Sequence, residues 1–281
     1  MAASGLSLCA AELRRGDRDR FLTALFAPAD RREALFALYA FNLELARVRD
    51  SVSQPMLGLI RLQWWRDGLD AIYRGAPPRH AVAAGLAEAV ARHGLSRRHF
   101  DRLIDARETD LSESPPADLA ALVDYAEGSS SSLVLLALEA LGGGSAAAAE
   151  AGRRVGIAWA LTGLLRAVPF HASARRLYLP QDLIGRMNLQ PDALFALRPS
   201  AELAASVAEV ARVARGHLAA GREAGRGLPR RLVPALLPAT LAETYLARLE
   251  RARFDVFDRR VQEAPPGRAW RLAARAWRGR F

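Results

Sequence analysis

Apolar residues recur at three- and four-residue spacing along almost the whole chain, and alternating β-branched runs are absent, so the pattern predicts helices throughout. Between Asp30 and Asp50 one stripe is Ala34, Leu38, Phe41, Leu45 and Val48, and its neighbour is Leu35, Tyr39, Leu43 and Ala46. A helix apolar over most of its circumference belongs in a core. Pro55 opens the next helix, with Leu59, Leu62, Trp65, Leu69 and Ile72 on one face, and Pro77-Pro78 closes it. A third helix runs to Gly94, and Ser96 is the expected N-cap of a fourth through Leu111. After Ser114-Pro115-Pro116 the pattern predicts a long helix through Leu141, stopped by Gly142-Gly143-Gly144. Another covers Ala146 to about Val168, where Pro169 ends or kinks it. The stretch from His171 to Asn188 looks irregular. Ser200 caps a helix to about Ala224, proline-punctuated helices fill Pro229 to Arg253, and an amphipathic stretch spans Gly267 to Phe281. No linker and no internal repeat divides the chain. The expected fold is all-α: one large multi-helix domain over residues 1–281, with 1–16 a loose N-terminal segment and 267–281 a basic amphipathic tail.

Composition narrows the function classes. The chain is 51% apolar and 25% charged, ordinary values for a globular protein, and its 281 residues can bury a large core. No stretch approaches the ~20 apolar residues that span a bilayer. Near the N-terminus small residues precede Arg14 and Arg15, the reverse of a secretory signal, which predicts a cytoplasmic protein. The single cysteine, Cys9, allows no internal disulfide and no thiolate cluster. The histidines His80, His93, His99, His171 and His217 are scattered, without the convergent spacing of a ligand set.

The net charge of +10 is carried entirely by arginine and suits anionic lipids, an acidic partner or nucleic acid. The pairs Arg153-Arg154, Arg175-Arg176, Arg230-Arg231 and Arg259-Arg260 are dispersed and lack interleaved aromatics, so no nucleic-acid partner is expected. Three features have two readings each. Trp64-Trp65 suits an aromatic ligand box or core packing. Ser129-Ser130-Ser131-Ser132 suits a polar cavity wall or close helix packing. In the tail, Trp270, Ala273, Ala274, Trp277 and Phe281 recur near helical spacing beside Arg271, Arg275, Arg278 and Arg280. Such a helix lies on an anionic membrane, with Trp270, Arg271, Arg275, Trp277 and Phe281 as the candidate contacts, or docks its tryptophans on the core.

The run Leu35-Phe36-Ala37-Leu38-Tyr39-Ala40-Phe41-Asn42-Leu43-Glu44-Leu45-Ala46-Arg47-Val48-Arg49-Asp50 resembles the first signature of the squalene/phytoene synthase family. In that family a Tyr-Ala-Phe segment leads into an Asp-Asp-x-x-Asp box. Leu161-Thr162-Gly163-Leu164-Leu165-Arg166-Ala167-Val168-Pro169-Phe170-His171, followed by Arg176-Leu177-Tyr178-Leu179-Pro180, is similar to the second box and its Tyr-Leu-Pro continuation. Trp65-Arg66, Asp110-Leu111, Tyr125 and Phe254-Asp255-Val256-Phe257 with Arg259-Arg260 extend the likeness along most of the chain. The resemblance implies an isoprenoid-synthase-like fold. It also implies head-to-head condensation of prenyl diphosphates on Mg²⁺ ions held by facing carboxylates.

The boxes depart from that chemistry. Ala46 and Arg47 stand where the family has paired aspartates, leaving Asp50, and Ala167 and His171 replace the aspartates of the second box. Arg18-Asp19-Arg20-Phe21 occupies the place of the serine-containing phosphate-binding segment. The expectation is therefore no catalytic residue, no metal and no cofactor. Tyr39, Arg47, Asp50, Arg166, His171 and Tyr178 form either a metal-free anion pocket or a plug, with Asp50 paired to one of Arg47, Arg49 and Arg166.

Ala40 to Ser53, Leu165 to His171 and Arg253 to Phe257 are similar to one branch of the family, the mitochondrial complex I assembly factor. That likeness implies a non-catalytic role in biogenesis of NADH:ubiquinone oxidoreductase. The partner would be a complex I subunit or assembly intermediate, and the protein would sit peripherally on the inner membrane. Two alternatives are a Mg²⁺-dependent farnesyl or geranylgeranyl transferase and a carrier of an isoprenoid or other lipid, using an apolar tunnel behind the boxes.

Overall fold

The computed structural model describes residues 6–112 and 114–281, so Met1 to Gly5 of the predicted loose segment lie outside the described residues. Among the described residues the regular structure is helical. In chain order the helices are α1 (Leu8–Gly16), α2 (Arg18–Ala24), α3 (Ala29–Arg47), α4 (Pro55–Tyr73), α5 (Ala81–His93) and α6 (Arg97–Glu108). Next come α7 (Leu119–Ala126), α8 (Ser132–Ala140), α9 (Ala146–Arg166), α10 (Val168–Ser173), α11 (Gln181–Arg186) and α12 (Pro191–Phe195). The chain ends with α13 (Ala201–Ala224), α14 (Val233–Leu236), α15 (Pro238–Arg251), α16 (Arg259–Gln262) and α17 (Arg268–Trp277).

Helix α3 is buried from Ala34 to Asn42, as its near-continuous apolar surface requires. The other central rod, α9, packs on α8, α13 and α15. Small residues set how closely it lies. A methyl group at Gly156 would stand 2.3 Å from the Ser131 Cα, and one at Gly152 would stand 2.6 Å from Leu138. All four residues of the serine run are buried, and the Ser131 hydroxyl donates to the Arg153 carbonyl at 2.6 Å. The run therefore serves close helix packing. The predicted long helix through Leu141 is present as α7 and α8, joined by a wide π turn over Glu127–Ser131 that carries the serines into the contact.

Four expectations need correction. Within the segment expected to be loose, Leu8–Gly16 forms α1, capped by Ser7, whose side chain accepts from the Ala10 amide, and it buries Cys9, Ala10 and Leu13. Three apolar residues on a face too short to show a period are enough to seat it. The segment from His171 to Asn188 contains α11 and the end of α10, each too short for periodicity to reveal. Ser96 precedes α6 without a side-chain capping bond, because its hydroxyl donates to Glu139 at 2.6 Å. On α4, Leu62, Trp65, Leu69 and Ile72 are buried but Leu59 is exposed. Trp65 packs edge-on against Phe41, whereas Trp64 is exposed.

Candidate functional site

The first box lies where α3 gives way to a short turn at Arg49–Ser51. Ala46 offers no ligand atom. Arg47 is exposed and points back toward α1, 3.8 Å from Glu12. Asp50 is held at 2.8 Å by Arg176, so its partner is none of Arg47, Arg49 and Arg166. The correction follows from topology: the loop after α10 returns across the end of α3, a contact that helical periodicity does not encode. In the second box α9 stops at Arg166, Ala167 sits at the joint, and Pro169 in the first turn of α10 redirects the chain. His171 then lies against Tyr178, ring centroids 4.4 Å apart, and its buried Nδ1 has no partner among the described residues. Burial lowers the His171 pKa to about 4; Arg176 adds to this, while Asp110 and Asp50 oppose it. The ring is neutral at physiological pH.

Behind this ring is a buried network centred on Asp110. Tyr125 and Tyr178 donate to one of its oxygens at 2.7 and 2.9 Å, and Arg107 donates to the other at 3.1 Å and to the Tyr125 hydroxyl at 3.0 Å. Burial works against the Arg107 charge, but Tyr125 and Asp110 more than compensate and its pKa is raised. Burial and then the Asp110 charge push Tyr178 up as well. Asp110 and Tyr125 appeared in the sequence only as fragments of the family pattern, and Arg107 carried no signal there. Beside the network a cleft of about 960 Å³ opens outward between α6, α7 and the loop at Arg176, with Asp110, Tyr125, Tyr178, Arg98 and Arg102 among its lining.

Tyr39 and Arg166 are not part of that cluster. They belong to an interior stack that the sequence did not foretell. The Arg20 guanidinium lies 6.0 Å from the Tyr39 ring centre and 5.8 Å from that of Trp159. Trp159 lies 6.3 Å from Tyr245, and the Arg166 guanidinium covers the Tyr245 ring at 3.6 Å. Asp17 pairs with Arg20 at 2.8 Å. Asp19 accepts from the Tyr245 hydroxyl at 2.6 Å and from Arg268 at 2.5 Å. Burial, with Asp17 opposed by Arg20, pushes the Tyr39 pKa up to about 12. The segment that replaces the phosphate-binding serines thus brings a carboxylate and a large cation into the interior.

These donors do not fit a magnesium cluster. Hard divalent ions require several convergent oxygen ligands. Asp50 is engaged by an arginine, Ala46 and Ala167 contribute nothing, and His171 is a neutral imidazole facing a phenol. Among the described residues no three His, Cys, Asp or Glu side chains converge as a metal site would demand.

The remaining candidates lie at the C-terminus. Trp270 and Trp277 are 81% and 79% exposed, so they do not dock on the core. Arg271 is exposed, and Arg275 reaches Glu243 at 3.3 Å, which also pairs with Arg222. Phe281, predicted to contact a membrane, is buried instead. A methyl group at Gly225 would stand 2.3 Å from its ring, so the bare glycine is what lets Phe281 seat there.

The fold resembles that of a dehydrosqualene synthase crystallised with ligand, at TM-score 0.84 and 18% identity over 96% of this chain and 94% of that one. It also resembles squalene synthase HpnC from Alicyclobacillus acidocaldarius, at TM-score 0.78 and 19% identity over 88% and 93% of the two chains. These likenesses make the fold an isoprenoid-synthase one. In sequence the chain is 35% identical to NADH dehydrogenase (ubiquinone) complex I, assembly factor 6 of Bos taurus, over 100% of this chain and 85% of that protein. It is 33% identical to the Homo sapiens protein of the same name over 96% and 81%. The presqualene diphosphate synthase of Rhodopseudomonas palustris is 30% identical over 79% of each. A model of squalene/phytoene synthase matches residues 13–266, and the chain belongs to that family.

Proposed function

We propose that this protein is a non-catalytic assembly factor for respiratory complex I. It engages a complex I subunit or assembly intermediate from the cytoplasmic side, at the membrane surface. The observation that carries the reading is the occupied site. Asp50 is bound by Arg176, His171 lies on Tyr178, and Arg20 stands against the rings of Tyr39 and Trp159. A protein whose former metal positions are taken by side chains that contact one another retains a scaffold and its surfaces. Relatives named for complex I assembly align over nearly the whole chain, which supports the same reading.

The prenyl-transferase alternative needs a ligand set that these residues do not supply. The lipid-carrier alternative needs open apolar space, whereas Arg20 and Arg166 set charged groups against the rings of Trp159 and Tyr245. The test is deletion of the gene in a host with complex I, followed by quantification of the assembled complex and its NADH oxidation in membranes. Loss of the complex, restored by wild type and by Asp50→Ala alike, is the expected result. Normal complex I in the deletion strain would remove the proposal.

A further inference from the structure

The final helix is fixed in an orientation that leaves two of the largest apolar side chains, Trp270 and Trp277, in solvent. Arg268, its first residue, donates to the buried Asp19 of α2, and Leu272 is fully buried beneath its middle. Arg275 reaches Glu243 of α15, while the Phe281 ring sits on Gly225 and its main-chain oxygen accepts from Arg222 at 3.1 Å. The helix is therefore pinned at its start, middle and end. With 3.6 residues per turn, Leu272 points roughly opposite Trp270 and Trp277, which share the outward face about 10 Å apart along the axis. Ala273 and Ala274 lie between them, and Arg271 and Arg278, one heptad apart, run down one flank of that face with Arg280 beyond.

Two tryptophans at 81% and 79% exposure on a fixed helix form a displayed ridge. Trp, Ala and Arg in this disposition match a bilayer interface: indole rings enter the headgroup region while guanidinium groups meet lipid phosphates. The exposed flank contains cations only, in a chain of net charge +10, so the complementary surface is anionic. We infer that α17 and its arginine flank dock the protein on an anionic lipid bilayer, with Trp270 and Trp277 as the inserting residues and Phe281 as the internal anchor that presents them. The inference rests on the membrane-surface placement proposed above and names the surface responsible.

The test uses the full chain and vesicles of phosphatidylcholine, with or without phosphatidylglycerol. Wild type should co-sediment with the anionic vesicles and much less with the neutral ones. In a Trp64→Phe background, which removes the other exposed tryptophan, brominated phospholipid should quench the indole fluorescence. Trp270→Ser with Trp277→Ser should lower partitioning at least tenfold while circular dichroism and the melting transition stay unchanged, because neither ring packs on the core. Arg271→Glu with Arg278→Glu should abolish the preference for anionic vesicles. Wild-type binding by the folded tryptophan variant, or no quenching on bound vesicles, overturns the inference. Unchanged vesicle binding by that variant together with lost complex I assembly would also overturn it, by making the ridge a protein contact. Vesicle binding lost in the variant, in a host whose complex I survives gene deletion, would leave this surface standing and remove the assembly reading instead.

Discussion

Asp50 and Asp110 are both carboxylates held by arginine, but burial gives them different weight. Asp50 and Arg176 pair at 2.8 Å with the Asp50 side chain 43% exposed, so Asp50→Ala should change unfolding free energy by less than about 1 kcal/mol. Asp110 is 7% exposed and satisfies Arg107, Tyr125 and Tyr178 together. Asp110→Ala strands a buried guanidinium and should cost roughly 3–5 kcal/mol in urea denaturation. His171 adds a pH dependence. Its pKa is about 4 in the folded chain and ~6.5 when unfolded, so above pH ~6.5 both states are neutral and it contributes nothing. As pH falls from there toward 4, the unfolded chain takes up the proton first and stability drops, by at most roughly 3 kcal/mol. His171→Phe should flatten that slope in denaturation curves between these pH values. The residues at the two boxes were legible from their motif positions, because a missing carboxylate is a fact of composition. Their partners were not: Arg176 reaches Asp50 across 126 residues of sequence.

At the scale of elements, α9 offers a paired test of close packing. Gly156→Ala forces a methyl group onto the Ser131 backbone and should destabilise by roughly 3 kcal/mol, since the helices must part or strain. Gly163→Ala, on the same helix with open space around it, should stabilise by about 0.5–1 kcal/mol through helix propensity. Thermal melts of both variants check the contrast; equal effects would contradict the contact geometry. Phe281→Ser should cost roughly 3 kcal/mol or more, by emptying the Gly225 seat and loosening α17. The helix start at Ser200 was readable because its side chain caps its own helix locally, accepting from the amide of Leu203. Helices α1, α10 and α11 were missed or blurred because nine or fewer residues carry little periodic signal.

The whole molecule keeps the architecture of its family without the carboxylates at Ala46, Arg47, Ala167 and His171 that the family's chemistry would need. Restoring the carboxylates by Ala46→Asp, Arg47→Asp, Ala167→Asp and His171→Asp together should yield no Mg²⁺-dependent diphosphate release from farnesyl diphosphate, because Arg18-Asp19-Arg20-Phe21 still stands in place of the phosphate-binding serines, with Arg20 stacked against Trp159 and paired with Asp17. Measurable turnover in that variant would show the stack to be displaceable. The sequence by itself determined the helical class, the order of the main helices, the family likeness and the loss of the metal ligands. Each of these depends on spacing along the chain or on residue identity at a motif position. Only the tertiary structure decided which amphipathic faces acquired neighbours. Periodicity shows which residues share a face; whether that face meets another helix or solvent depends on contacts between distant parts of the chain. For that reason Phe281 and Trp277, alike in the pattern, ended on opposite sides of the same segment, one sealing the core and one facing outward.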